Sequence, residues 1–310
     1  MKSMKIMQTS QIRKIVRRHQ IWDKLFSLLA ILTVVAAVGI LVALIADLAG
    51  TGLPRIDAQF FTSFPSRFAA KAGILSAWVG TIIIMCVTAL IAIPLGVAAG
   101  VYLEEYAAKN KLTSFIELCI ANLAGVPSIV YGLMALGLFV YKLGTGQSIL
   151  TAGMTLGLLI LPIIIVTTRE AIRTIPKSLR EAAYALGATK WEVTRDHVIP
   201  ASMGGILTGI IISLSRAIGE TAPLITIGAL TFIAFLPTSP IQDSAPYINL
   251  KWLLDPFTVM PIQMFNWVSR PQEEFHQNAA ATGMILMCLT LAMNGFAIVV
   301  RNHYRKKIKW

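Results

Sequence analysis

The chain has 310 residues, 56% of them apolar and only 14% charged, against about 25% charged in an ordinary soluble domain. With a mean hydropathy of +0.71, this composition excludes a soluble domain and points to one built for lipid. The net charge of +12 raises nucleic acid as a partner only until the positions of the charges are read, as below.

The first 25 residues are basic, and the apolar run 26–49 that follows has 24 residues, roughly 36 Å of helix at 1.5 Å per residue. That is too long for the apolar stretch of a signal peptide, so an uncleaved membrane anchor is expected. Five further stretches, 73–102, 113–141, 148–168, 201–235 and 279–300, are long and apolar enough to cross a hydrocarbon core of about 30 Å. The fold class expected is therefore all-α, with six transmembrane helices. The fifth stretch is too long for one straight span. Pro223 interrupts it, which predicts a kink or a helix followed by a short re-entrant piece. Pro94, Pro127 and Pro162 fall one each in spans two to four. Proline is common in membrane helices, so these are read as ordinary. Gly96-x-x-x-Gly100 and Gly205-x-x-x-Gly209 permit close helix contact.

Lys and Arg give the orientation. Segments 1–25, 103–112, 169–200 and 301–310 together carry twenty of the 27 basic residues. The opposite side has six: Arg55, Arg67, Lys71, Lys142, Lys251 and Arg270. Both termini are thus expected in the cytoplasm, and the basic excess is a topology signal that removes nucleic acid as a partner. The membrane core would run over 73–300, with a cytoplasmic loop at 169–200, an external loop at 236–278 and a cytoplasmic tail at 301–310. The external loop carries six prolines with Trp252 and Trp267. It is compatible with an interfacial cap or with a solvated connector. Cys86, Cys119 and Cys288 lie singly in apolar runs, so no disulfide framework or metal site is expected. The four histidines read as surface residues.

Within the cytoplasmic loop, Ser178-x-x-Glu181 and Thr189-x-x-Glu192 both have the form of a capping box. Leu179, Ala182, Ala183 and Leu186 fall at spacings of three and four. Gly187 stands where a helix C-terminus wants a residue free to take positive φ. The pattern predicts a two-turn helix, a glycine corner and a second short helix, with Pro200 opening the fifth span. So short a helix is marginal alone. Its small apolar face, Ala182 and Ala183 especially, suits either a partner surface or the membrane interface, and the residues alone leave both open.

Inside the fifth span, Arg216 and Glu220 lie four residues apart in 213-SLSRAIGETAPL-224. An arginine at a helix centre costs roughly 2.5–3.5 kcal/mol on insertion scales. Ser213, Arg216 and Glu220 fall on one helical face with Gly205, Thr208 and Gly209, a stripe suited to protein or water. One reading is an ion pair that cements packing. The other is a translocation path in which the guanidinium fork meets an oxyanion, Glu220 orienting Arg216 until the anion arrives. Glu117 is shallow and is given no role. The sequence contains no G-x-x-x-x-G-K-[ST] pattern, so any ATP hydrolysis is expected on another chain.

These motifs carry a resemblance. Glu181-Ala182-Ala183, Gly187 and Ile199-Pro200 resemble the EAA loop of binding-protein-dependent ABC importer permeases, whose coupling helix sits in a groove of the ATPase. The resemblance assigns ATPase coupling to Glu181, Ala182, Ala183, Leu186 and Gly187. Arg216-Ala-Ile-Gly-Glu220-Thr-Ala-Pro-Leu224 and Gly125-Val-Pro-Ser-Ile-Val-Tyr-Gly132 are similar to signatures of phosphate-specific members, of the PstA type. So are Arg17-Arg18 with Asp23-Lys24-Leu25-Phe26, and the Phe60-Phe61-Thr-Ser-Phe segment. The resemblance implies a type I importer permease fold and a path through Arg216, Glu220 and Ser213. It implies a PstC-like permease partner, two PstB-like ATPase subunits that bind ATP and Mg, and a periplasmic PstS-like phosphate-binding protein. No cofactor, metal or catalytic residue is expected in this chain, and the expected place is a bacterial or archaeal inner membrane. A permease for molybdate, sulfate or phosphonate remains the nearest alternative. A gradient-driven secondary transporter would need no coupling helix. A membrane enzyme would need clustered acid, base and metal groups, which the chain lacks.

Overall fold

The computed structural model describes residues 2–239 and 249–307, with side chains at residue 16 and over 19–239 and 249–302. The basic side chains Lys2, Lys5, Arg13, Lys14, Arg17, Arg18, Arg305, Lys306, Lys307 and Lys309, together with Pro240 and Pro246, lie outside that description. The described residues are helical or irregular, without a strand. The chain divides into two units at Thr51/Gly52. The first is formed by one long helix, α1 (Lys2–Gly52). Its segment from His19 onward is long and apolar enough to span a membrane.

The second unit is a helical bundle. α2 (Ala58–Thr62) is capped by Asp57, whose carboxylate accepts from the Phe60 N–H. α3 (Leu75–Val101) runs into a π-helical turn, Tyr102–Tyr106. α4 (Lys111–Leu123) and α5 (Ser128–Ala135) follow, the second extended by a π-helical stretch to Lys142. α6 (Ile149–Arg173) is the central helix, with 67% of its apolar window buried. α7 (Lys177–Ala185) and the single turn α8 (Lys190–Glu192) form a small module, joined by a π-helical stretch to α9 (Ile199–Ile218). α10 (Ala222–Thr226), α11 (Met260–Val268) and α12 (Glu273–Lys307) complete the unit.

The bundle is built around α6. Gly96 and Gly100 let α3 approach it so closely that an added Cβ would lie 2.6 Å from Ile164 and 2.7 Å from Thr168. Gly205 and Gly209 bring α9 against Ala171 and Thr167 on the same helix. In lipid there is no hydrophobic drive between helices, so close packing by small residues supplies the association. The two glycine pairs thus seat α3 and α9 on adjacent faces of α6. Large apolar side chains cover the outer surface of α4 and α5, with Leu112, Phe115 and Leu133 each more than half exposed. In water such a surface would be anomalous; in lipid it is expected.

By length and composition, five helices can each cross a membrane, and the bent pair α4–α5 supplies a sixth. That pair corrects the reading of Pro127 as ordinary. The two helices are bent by 104° at the break between them. Pro127 stands at the N-cap of α5, where its missing N–H costs nothing. Tyr131 ties the corner by donating its hydroxyl to the Leu123 carbonyl at 2.8 Å. Pro94 and Pro162, by contrast, sit inside continuous helices. The fifth span also breaks, but ahead of Pro223. α9 ends at Ile218, and Pro223 opens α10 in its first turn, again the place that tolerates proline.

The loop before α12 is ordered where described. Trp267 and Met260 of α11 are fully buried with Phe60, Ile74 and Ala281. The α11 N-terminus is fixed by the Thr81 hydroxyl, which accepts from the Met260 N–H at 2.9 Å. Beside it, Arg55 donates to Asn278 at 2.9 Å and to the Ala72 and Ala70 carbonyls at 2.9 and 3.0 Å. Where described, this segment packs into the core rather than forming a solvated connector.

Candidate functional site

The α7–α8 module is held on the bundle by a small apolar cluster of Ile172, Ala183, Val193 and Val198. Ala183 is 5% exposed, so it belongs to the chain's own core and is not available to a partner. This corrects the expectation that Ala182 and Ala183 share an outward face. Adjacent helix positions are about 100° apart, and here one turns in while Ala182 turns out. The outward surface is formed by Glu181, Ala182, Tyr184, Ala185 and Leu186. Leu186 is 89% exposed, and Glu181 has no hydrogen bond or ion pair among the described residues. Leu186 is therefore an apolar knob at the end of α7, beside the exposed carboxylate of Glu181.

The corner is formed as the sequence predicts. Gly187 has φ +85°. Its N–H donates to the Tyr184 carbonyl at 2.9 Å, and the Ala188 N–H reaches back to the Ala183 carbonyl at 3.2 Å. This pair of bonds is a Schellman motif, which needs a residue at ease with positive φ. Thr189 and Glu192 then form a reciprocal capping box, with the Thr189 N–H donating to the Glu192 carboxylate at 2.7 Å. The expected first box, Ser178 with Glu181, does not form. α7 begins two residues earlier than that box requires, with Pro176 at its N-cap and no side-chain cap.

The second candidate region is the end of α9. Arg216 Nε lies 3.3 Å from Glu220 Oε1, with the side chains 41% and 18% exposed. Glu220 follows the last turn of α9, so the pair brackets the helix break rather than lying along a regular helix. Ser213 is fully buried, and its hydroxyl donates to the Gly209 carbonyl at 2.8 Å. The expected polar stripe is therefore two surfaces. Gly205 and Gly209 form the seam toward α6 and Ser213 is buried, whereas Arg216 is partly exposed beside Glu220. Thr208 accepts from Arg301 Nη1 of α12 at 3.2 Å. Seven residues further along the same side of α9, Ser215 bonds Asn294 of α12.

The two stretches 125–132 and 216–224 meet in space. Gly132 of α5 packs on Pro223 and Thr226 of α10. The turn at Pro127 and the break at Gly219 are thereby braced against each other, next to the Arg216–Glu220 pair.

A third group of charges was missed by sequence reasoning. Arg169, 8% exposed, lies 2.6 Å from Glu117 of α4 and 3.6 Å from Glu104. The contact to Glu117 lacks hydrogen-bond alignment, so it acts through charge. Arg173 donates to Glu104 at 2.9 Å, and Arg180 of α7 to Glu105 at 2.6 Å. The visible signal was the adjacent pair Glu104-Glu105 at one span end, facing Arg169 and Arg173 one turn apart at another. Counting those arginines only as topology signals hid it.

A bundle of apolar helices, with two broken spans meeting beside a partly exposed ion pair, has the character of a multi-pass membrane protein. The comparisons place it further. Residues 92–306 match the family described as binding-protein-dependent transport system inner membrane component, and the chain belongs to that family. Its relatives include the probable ABC transporter permease protein YqgI of Bacillus subtilis, 36% identical over 74% of this chain and 78% of that one. The phosphate transport system permease protein PstA 1 of Mycobacterium tuberculosis is 39% identical over 76% of this chain and 72% of its own. PstA of Yersinia pestis is 31% identical over 92% of both. The fold is similar to that of the inward-facing MetNI methionine ABC transporter, with a TM-score of 0.58 over 73% of this chain and 93% of that one, at 16% identity.

Proposed function

We propose that this chain is the PstA-type permease subunit of an ATP-driven phosphate importer. The observation that carries the reading is the half-exposed guanidinium of Arg216 at the break in α9, held at 3.3 Å by a carboxylate that can release it. The relatives named as phosphate transport permeases, which cover most of the chain, support the substrate. Phosphate and Glu220 compete for the same forked donor set. An anion entering from the break displaces the carboxylate, and Glu220 recaptures Arg216 when the anion leaves. Binding in transit is accordingly weak, and selectivity rests on a separate periplasmic binding protein.

The α7 knob docks in a groove of a PstB-like ATPase, one of two, and a PstC-like permease completes the path from the other side. ATP and Mg bind on the ATPase subunits. Their closure pushes α7, and through it α6 and α9, so that access to Arg216 alternates between the two sides. Both termini and α7 face the cytoplasm in this reading, and the membrane is the bacterial inner membrane.

The test is labelled phosphate uptake in cells lacking this chain, complemented with the unaltered chain or with Glu181→Lys. Restoration by the first and loss with the second, both reaching the membrane, is the expected result. Equal restoration by both would remove α7 as the docking element. No restoration by either, although assembled, would turn the substrate to molybdate, sulfate or phosphonate.

A further inference from the structure

The two charged neighbours Arg180 and Glu181 of α7 point in opposite directions. Glu181 is exposed. Arg180 folds back beneath the helix, 17% exposed, with Nη2 2.6 Å and Nε 3.1 Å from the same oxygen of Glu105. Its Nη1 also donates to the Ile175 carbonyl at 2.9 Å, and its Nη2 to the Ile172 carbonyl at 3.3 Å. Glu105 is itself only 8% exposed and lies in the π-helical turn Tyr102–Tyr106 that ends α3. One guanidinium on α7 therefore grips the last turn of α6, the linker that follows it and the π-helical end of α3.

α7 needs such a grip. Its apolar contact with the bundle is a single alanine, Ala183, in a cluster of four residues. Apolar contact is non-directional, and so small a patch lets a helix slide or roll under load. A guanidinium fork fixed by a carboxylate and two carbonyls resists both movements, because its donors are planar and rigidly spaced. The chain path alone, α6–Thr174–Ile175–Pro176–α7, connects α7 to α6 but not to α3. The only charged contact from α7 to α3 among the described residues is Arg180–Glu105. Glu104, one residue away, takes Arg173 and Arg169 of α6, so the end of α3 is anchored to α6 by one carboxylate and to α7 by the next.

We infer that Arg180 is a positioning residue, the strut that delivers movement of the motor-docking helix to α3 through Glu105. This rests on the reading of α7 as the docking element. Without the strut the ATPase still docks and turns over, but α3 does not follow, and hydrolysis runs ahead of import.

The experiment uses the assembled importer in proteoliposomes, with ATP hydrolysis and labelled phosphate uptake measured on the same preparation. Arg180→Gln is expected to keep assembly while phosphate imported per ATP falls about tenfold, because one partner of a nearly buried pair has lost the other. The double variant Arg180→Gln with Glu105→Gln removes the unpaired charge, which is the part of the defect that affects folding. It is expected to assemble like the unaltered complex and still import poorly per ATP. If the double variant imports at the unaltered ratio, the pair is only a packing contact and the inference is overturned. It is equally overturned if Arg180→Gln alone keeps that ratio. Glu181→Lys separates the two levels of the reading. Loss of ATPase docking with Glu181→Lys, beside full coupling in both Arg180 variants, sinks the strut alone. Intact docking and coupling with Glu181→Lys sinks the assignment of α7 beneath it.

Discussion

Gly132 of α5 lies directly against Pro223 of α10, so close that an added Cβ would stand 2.7 Å from the Pro223 Cα and 2.8 Å from its carbonyl oxygen. These atoms belong to main chain and cannot swing aside. The contact braces the corner after Pro127 against the break after Ile218, two interruptions that neither helix could hold alone. Gly132→Ala is therefore expected to overpack the seam at a cost of about 1–3 kcal/mol. Thermal unfolding of the detergent-solubilised chain, followed by intrinsic fluorescence, should shift down by several degrees. Gly137→Ala, five residues on and with nothing within 4 Å of its added Cβ, is the control and should leave the transition in place. An unchanged transition in Gly132→Ala would mean that α5 and α10 are not braced in this way.

Arg216 and Glu220 predict a split between two variants. Arg216→Gln removes the donor fork at the break and should lower phosphate uptake by about tenfold or more, as expected when a charge-assisted contact is lost. Glu220→Gln removes the competitor for that fork instead. Phosphate should then bind more tightly and leave more slowly, so both the half-saturating concentration and the maximal rate fall together. Transport kinetics over a range of phosphate concentrations distinguish the two. Identical losses in both variants would assign the pair to packing.

Much of this was legible in the chain, and the reasons divide by kind of signal. Apolar runs fix spans because lipid tolerates little else. Gly187 and the Thr189–Glu192 box were readable because each is a local rule contained in four residues. The meeting of Gly132 with Pro223 was not readable, since 91 residues separate them and either proline could have kinked its helix without a partner. Ser213 illustrates the opposite failure. A helical wheel places it beside Arg216, but the wheel does not say how the helices will pack, and packing buries Ser213 while leaving Arg216 partly exposed. Glu117 was passed over for the same reason: its partner Arg169 lies on another helix.

Gly187 tests the corner after α7, the element proposed to dock the ATPase. At φ +85° a Cβ meets the following carbonyl, a penalty of roughly 1–2 kcal/mol for an ordinary residue. No neighbour lies within 4 Å, so Gly187→Ala is strained by backbone conformation alone. Gly187→Asn should be milder, because asparagine tolerates this region. Co-purification of the ATPase with the permease is expected to fall in the order glycine, asparagine, alanine. Equal recovery of all three would show that the corner does not set the position of α7.

Leu186 and Ala183 lie three residues apart on α7 and carry opposite expectations. Leu186 is 89% exposed, so Leu186→Asp removes no internal contact and should leave thermal stability of the isolated permease unchanged. In the proposed docking, the same change puts a carboxylate where an apolar side chain would meet the ATPase, and burying an unpaired charge costs several kcal/mol. ATPase co-purification should therefore drop by about tenfold or more. Ala183→Asp places the same carboxylate among Ile172, Val193 and Val198, and it should destabilise the permease itself before any partner is added. If Leu186→Asp lowered stability as much as Ala183→Asp, the knob would be covered by this chain and could not be the surface that meets the motor.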